Sequence, residues 1–196
     1  MGRPKQLLPF GGQTLLGRAV ATALASTCRP IVVTTGAHRD VVEAELRRLP
    51  VVIAHNADWA QGMSSSLRVG LTALLAATED LEGAVVSLVD QPLVGPSDID
   101  RLVATYRQTG KHIVASEYDG TRGVPMFIGV SLFAEARTLQ GKGGAKELMA
   151  RYPERVALVP LAAAACDVDT PADYDRLAHL PNVRSAAVGG DQQGRR

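Results

Sequence analysis

Gly83-Ala84-Val85-Val86-Ser87-Leu88-Val89-Asp90-Gln91-Pro92 is a short apolar run that ends on an acid, an amide and a proline. A run this short and apolar suits a strand at residues 84–89, buried on both faces of a parallel sheet. In open α/β sheets, ligands bind beyond the carboxyl ends of the strands. Asp90 therefore stands where a ligand-facing carboxylate belongs, and Pro92 turns the chain away.

The same grammar repeats on both sides of this stretch. Residues 31–35 and 51–55 are β-branched strands upstream, and 112–116 is a fourth strand downstream. Helical patterns at 15–25, 41–49, 64–77 and 97–107 separate them, the last with Ser97 as its expected N-cap. After residue 116 the pattern changes. A Gly-containing turn at 118–123 followed by apolar 124–128 predicts a hairpin, so antiparallel pairing enters the sheet. Helices at 132–138 and 145–151, a strand at 156–160 and a helix at 172–180 close the domain. The expected architecture is α/β: a doubly wound, mostly parallel sheet with helices on both faces, Rossmann-like. One domain is expected over 1–181, with an Ala-, Gly- and Gln-rich disordered tail at 182–196.

Composition narrows the function. Twenty-one Lys and Arg against 20 Asp and Glu give a net charge of +1, which argues against a nucleic-acid partner. No apolar run is long enough for a membrane span, no signal-peptide pattern opens the chain, and a cytoplasmic setting is expected. The two cysteines form no CxxC and the four histidines no HExxH, so neither a zinc ribbon nor a zincin is indicated.

Four places carry residues suited to chemistry. Asp90 offers oxygen to a hard cation such as Mg2+, or serves as a turn former. Asn56-Ala57-Asp58-Trp59 and Gly62-Met63-Ser64-Ser65-Ser66 sit between a strand end and a helix start. Free N–H groups and hydroxyls there suit anions and ribose oxygens, and Asn56 suits a base edge; the plain alternative is a serine cap. Lys5 can neutralise phosphate charge. In Asp167-Val168-Asp169-Thr170-Pro171, Asp169 is either a second metal carboxylate or, with Thr170, a cap for the last helix.

Taken together, these pieces resemble the MobA-like nucleotidyltransferases, and within them the molybdenum cofactor cytidylyltransferase branch. The matching segments are Met1-Gly2-Arg3-Pro4-Lys5-Gln6-Leu7-Leu8-Pro9, the 56–59 and 62–67 segments, Asp90-Gln91-Pro92-Leu93, Arg122-Gly123-Val124-Pro125 and residues 167–174. They follow the family's order. The resemblance implies transfer of CMP from CTP to a phosphorylated, molybdopterin-type acceptor with release of pyrophosphate. It implies Lys5 on the triphosphate, and Mg2+ held by Asp90 and Asp169. Asn56, Gly62, Ser64, Ser65 and Ser66 would line the nucleotide site, and Gly123 and Pro125 would border the acceptor. A molybdenum hydroxylase is the implied downstream partner.

Three departures stand out. The family's opening strand and its LAAGxSxR loop precede what is Met1 here, so a shortened N-terminus is expected. Its loss would leave unpaired backbone rows beside the strands at 31–35 and 84–89. Val124 stands where His is frequent, and Lys142-Gly143 where an acidic–basic pair is usual. Within the same resemblance group lies an alternative, an NAD(P)H-dependent nicotine blue oxidoreductase acting on a quinone-like dye. A non-catalytic molybdenum cofactor chaperone is a further alternative.

Overall fold

In the computed structural model, residues 4–178 are described; the expected tail lies outside them. The chain opens with a 3-10 turn at Lys5–Leu7 and a small hairpin, β1 (Pro9–Phe10) and β2 (Gln13–Thr14). Then follow α1 (Leu15–Ala25), β3 (Val32–Thr35), α2 (Arg39–Leu46), β4 (Val52–His55), α3 (Met63–Ala77), β5 (Gly83–Val86) and α4 (Pro96–Thr109). The second half holds β6 (Ile113–Tyr118), β7 (Thr121–Gly129), α5 (Phe133–Ala136), α6 (Lys146–Arg151), β8 (Val156–Pro160) and α7 (Pro171–Ala178).

The sheet is mixed and divided. β3 and β4 pair in parallel. A separate four-stranded sheet runs β5-β7-β6-β8, antiparallel at β5–β7 and β7–β6 and parallel at β6–β8. Among the described residues, β3 and β5 each have one edge without a strand neighbour.

Alternation along β6 and β7 explains why helices cover both faces. Ile113, Ala115, Met126 and Ile128 face a cluster built with Leu67, Leu71 and Leu74 of α3, and with Phe133 and Leu148. Val114 and Phe127 face the opposite way, onto Leu102 and Val103 of α4. Successive strand residues point to opposite faces, so two apolar surfaces need two helical layers. Leu16, Val20, Val42 and Leu46 of α1 and α2 cover Val33 and Ile53 on one face of the β3–β4 pair.

Several boundaries differ from the sequence reading. The strand expected at 84–89 stops at Val86, because β7 pairs only as far as Val86↔Met126 and the chain then peels off toward Asp90. Ser97 is not the N-cap of α4. Pro96 is already the first helical residue, and the Asp98 carboxylate accepts from the Gly95 N–H at 2.9 Å. The helix expected over 132–138 is a 3-10 turn at Val130–Leu132 followed by the short α5. The β1–β2 hairpin was not expected. Its signal is Gly11-Gly12, both at positive φ, which form a two-residue turn of the kind that joins strands.

The hairpin matters for the site. Phe10 and Leu15 pack with Val168 and Leu177, and Leu8, Val89 and Tyr174 lean on the same cluster. The two ends of the described chain thereby meet beside the residues that follow β5.

Candidate functional site

After Val86 the chain runs irregularly to Asp90, whose carbonyl accepts the N–H of Val168 at 2.9 Å. That bond pins the 167–169 segment alongside Asp90. Val168 is buried in the hairpin cluster and is flanked by the two acids Asp167 and Asp169. The Lys5–Leu7 turn approaches from the other end, with Leu7 packed near Val33, Ile53 and Val89. The Lys5 ammonium donates to Asp90 Oδ2 at 2.7 Å and to Asp169 Oδ1 at 3.0 Å. Three sequence-distant residues singled out for phosphate and metal are thus in direct contact.

The choice left open at Asp169 and Thr170 is settled by hydrogen bonds. Thr170 Oγ1 accepts the N–H of Asp173 at 3.2 Å, and the Asp173 carboxylate accepts the Thr170 N–H at 2.9 Å. Thr170 and Asp173 form a reciprocal cap at the start of α7, which leaves Asp169 to Lys5.

Burial pulls Lys5 toward its neutral form, but hydrogen bonds to Asp90 and Asp169 outweigh it and hold the ammonium above its ordinary pKa. Burial, followed by the Asp90 charge, pushes the Asp167 carboxyl up. Asp90 keeps one buried oxygen, Oδ1, without a hydrogen-bond partner among the described residues. A buried carboxylate oxygen carries a full desolvation penalty unless something meets it.

These features suit a hard divalent cation. Two carboxylates already share one cationic group, and a further carboxylate oxygen is unmet. Among the described residues no group of three or more His, Cys, Asp and Glu is placed to hold a metal. Mg2+ characteristically takes one or two carboxylates and completes its shell with water and substrate phosphates. Asp90 and Asp169 are the residues that could hold such an ion.

Gln91 ties this cluster to the irregular stretch of β7 and to the turn before Asp167. It is 4% exposed and donates to the carbonyls of Val124 at 3.1 Å and Ala164 at 2.9 Å. Val124 and Pro125 belong to an irregularity in the β6–β7 ladder, where pairing jumps from Ala115↔Met126 to Ser116↔Gly123. A proline is tolerated in a strand at such a bulge. Gly123 is small for a reason: a Cβ there would lie 2.8 Å from Lys146 Cε and 3.1 Å from the Tyr118 hydroxyl. Gly123 is packed beneath Lys146 and Tyr118, and Pro125 is buried, its carbonyl accepting the Ser116 hydroxyl at 2.6 Å. Gln91, Asp167, Tyr118 and Lys146 were not singled out from the sequence. The alternation Asp167-Val168-Asp169 is a signal for Asp167; nothing local marks Lys146.

The remaining candidates form a knot. Asn56, 2% exposed, donates to Ser65 Oγ at 2.8 Å and Ser66 Oγ at 3.0 Å, and its Oδ1 accepts the Asp58 N–H. Ser64 is fully buried; it donates to the Gln140 carbonyl and accepts the Gly144 N–H. Gly62 lies against Gly141. The polar groups of Asn56, Ser64 and Ser65 are engaged within the protein, holding the start of α3 to the 140–144 loop.

A further polar cluster lies at the ends of β3 and β4. Thr35 Oγ1 donates to Glu43 Oε1 at 2.8 Å, His55 Nδ1 is 3.7 Å from the same oxygen, and Arg39 reaches both Glu43 oxygens at 3.2 Å. The Thr35 hydroxyl, ahead of Arg39, holds the Glu43 carboxyl below the ordinary value of 4.5. A depressed carboxylate stabilises the fold above its unfolded pKa, and this is lost as pH falls through the folded value. Thr35→Val is expected to move the Glu43 titration, followed by carboxyl NMR, toward 4.5. The difference in Tm between the two proteins should be present at neutral pH and shrink as pH falls below 4.5.

Comparison with known proteins adds the lineage. The MobA-like NTP transferase domain matches residues 1–156. The chain is 34% identical over 188 residues to the nicotine blue oxidoreductase of Paenarthrobacter nicotinovorans, covering 90% of this chain and 89% of that one. It is 24% identical to the molybdenum cofactor cytidylyltransferase of Escherichia coli, over 89% and 86% of the two chains. A solved structure of Rv0371C from Mycobacterium tuberculosis, in complex with manganese, superposes with a TM-score of 0.75 at 27% identity, covering 89% and 91%. No helix among the described residues is long and apolar enough to cross a membrane. The order of elements, the clustered Lys5, Asp90 and Asp169, and the span of the match agree: the chain belongs to the MobA-like NTP transferase domain family.

Proposed function

We propose that this protein is a nucleotide-using enzyme whose Lys5–Asp90–Asp169 cluster receives a phosphoanhydride. The observation that carries this reading is the lysine ammonium shared by two carboxylates just after β5, with Asp90 Oδ1 unmet beside it. Phosphate oxygens would draw Lys5, and Asp90 and Asp169 would hold Mg2+ against the same phosphates.

Of the two reactions open to such a site, reduction of a quinone-like dye by NAD(P)H is put first. The 34% identity to the nicotine blue oxidoreductase over nine-tenths of the chain supports it. In that reaction a hydride from the nicotinamide and a proton from water reduce the dye, and the dinucleotide's pyrophosphate is the group for Lys5. CMP transfer to a molybdopterin-type acceptor is the second reading, supported by the paired carboxylates and the 24% identity to the cytidylyltransferase. There an acceptor phosphate oxygen attacks the α-phosphorus of CTP and pyrophosphate leaves.

Calorimetric titration with NADH, NADPH and Mg-CTP separates the readings. Micromolar binding of a reduced dinucleotide, with its oxidation on adding a quinone-like dye, supports the first. Binding of Mg-CTP, with pyrophosphate release on adding a pterin acceptor, supports the second. Binding of none of the three defeats both and leaves the cofactor-chaperone alternative.

A further inference from the structure

Lys5 lies between two carboxylates, Asp90 and Asp169. Its ammonium sits 2.7 Å from one carboxylate and 3.0 Å from the other, and these are the two acids suited to a divalent cation. Two positive groups cannot share that space without strong mutual repulsion. The main chain that carries the lysine is held in place. Its turn is closed by the Leu7 N–H to the Pro4 carbonyl at 3.0 Å and by the Leu8 N–H to the Lys5 carbonyl at 3.1 Å. Leu7 and Leu8 are packed into two separate apolar clusters. A tethered cation competes at high effective concentration with any ion arriving from solution.

The seat still carries surplus negative charge. One ammonium meets two carboxylates, and Asp90 Oδ1 goes unmet by it.

We propose that Lys5 is the resident cation of a seat it shares with a divalent metal. While the site is free, Lys5 holds Asp90 and Asp169 and keeps the bare ion out. A nucleotide's phosphates offer Lys5 other anionic partners and offer the ion further oxygen ligands. Lysine leaves and metal enters together, so nucleotide and metal bind with positive and reciprocal coupling. The exclusion of bare metal stands on the geometry alone; the coupling to nucleotide rests on the phosphoanhydride reading above.

The test is Mn2+ binding followed by the electron paramagnetic resonance signal of the free ion, without nucleotide, in wild type, Lys5→Met and Lys5→Arg. Lys5→Met should bind Mn2+ at least tenfold more tightly than wild type, and Lys5→Arg should stay near wild type. Equal or weaker binding in Lys5→Met, with its near-ultraviolet circular dichroism unchanged, overturns the shared seat. Should Lys5→Met fail to fold, acetylation of Lys5 in wild type, read by mass spectrometry, gives the answer. Saturating Mn2+ should raise Lys5 reactivity several-fold, and no change overturns the proposal. Adding CTP, NADH or NADPH then tests the coupling. Tighter Mn2+ binding in Lys5→Met with no response to any of the three keeps the shared seat and defeats the phosphoanhydride reading. Nucleotide binding with no gain in Lys5→Met does the reverse.

Discussion

Alanine at position 90 is expected to weaken nucleotide binding in the presence of Mg2+ at least a hundredfold while the protein still folds. A hundredfold is about 2.7 kcal/mol, within the range for truncating one partner of a hydrogen-bonded charge pair in a binding site. The fold survives because the main chain of Asp90, not its carboxylate, anchors the 167–169 segment through the Val168 N–H. The side chain contacts Lys5 and leaves its other oxygen unmet, so its removal deletes one ion pair and one desolvation penalty together. Those two effects oppose each other, and Tm should move by only a few degrees. Asp169 is 68% exposed, and ion pairs in water are worth about 0–1 kcal/mol. Asp169→Ala should therefore cost roughly tenfold or less. Calorimetric titration of both variants checks the ranking; unchanged affinity in Asp90→Ala removes the site from the phosphoanhydride reading.

The ranking shows which information was local in the chain. That an acid follows an apolar strand is legible from Ala84-Val85-Val86, but the strand is half-buried and stops at Val86, four residues before Asp90. That Lys5 meets Asp90 and Asp169 is not legible from spacing. The contact spans 85 and 164 residues and depends on a hairpin whose Phe10 docks on Val168. The layers on β6 and β7 were readable from period-two alternation. The division between β3 and β5 is not legible in either strand, since no property of either specifies its neighbour. Lys146 was missed for a related reason. Its place over Gly123 comes from packing α6 on β7, and the sequence records it only as a glycine where a side chain would collide. Asn56 and the three serines were visible as polar groups, but not that most of those groups would be engaged with one another and with the 140–144 loop.

Gly62 tests this last point, because its two possible roles predict different outcomes on substitution. A glycine that lets a ligand approach the backbone can become alanine with the fold intact and binding impaired. The structure assigns Gly62 the other role. Its backbone sits at φ 108° and ψ −177°, a region open essentially to glycine alone. A Cβ there would lie 2.6 Å from the Gly141 carbonyl oxygen and 3.2 Å from Lys142 Cα. Both obstacles are backbone, so no rotamer change relieves them. Strain of about 1–3 kcal/mol adds to overpacking of about 1–3 kcal/mol. Gly62→Ala should thus destabilise by about 4 kcal/mol, a drop in Tm of roughly 10 °C for a chain this size. Gly110→Ala is the control. Gly110 also has positive φ, at 65°, but its Cβ would meet nothing within 4 Å, so it should lose only the strain, about 1 kcal/mol. In Gly62→Ala, amide exchange should rise first at Ser64 and Gly144, the two N–H groups that close the 140–144 loop onto α3. If Tm holds while nucleotide affinity falls, Gly62 faces the ligand directly; if both fall with exchange rising at those amides, the loop is what the glycine protects.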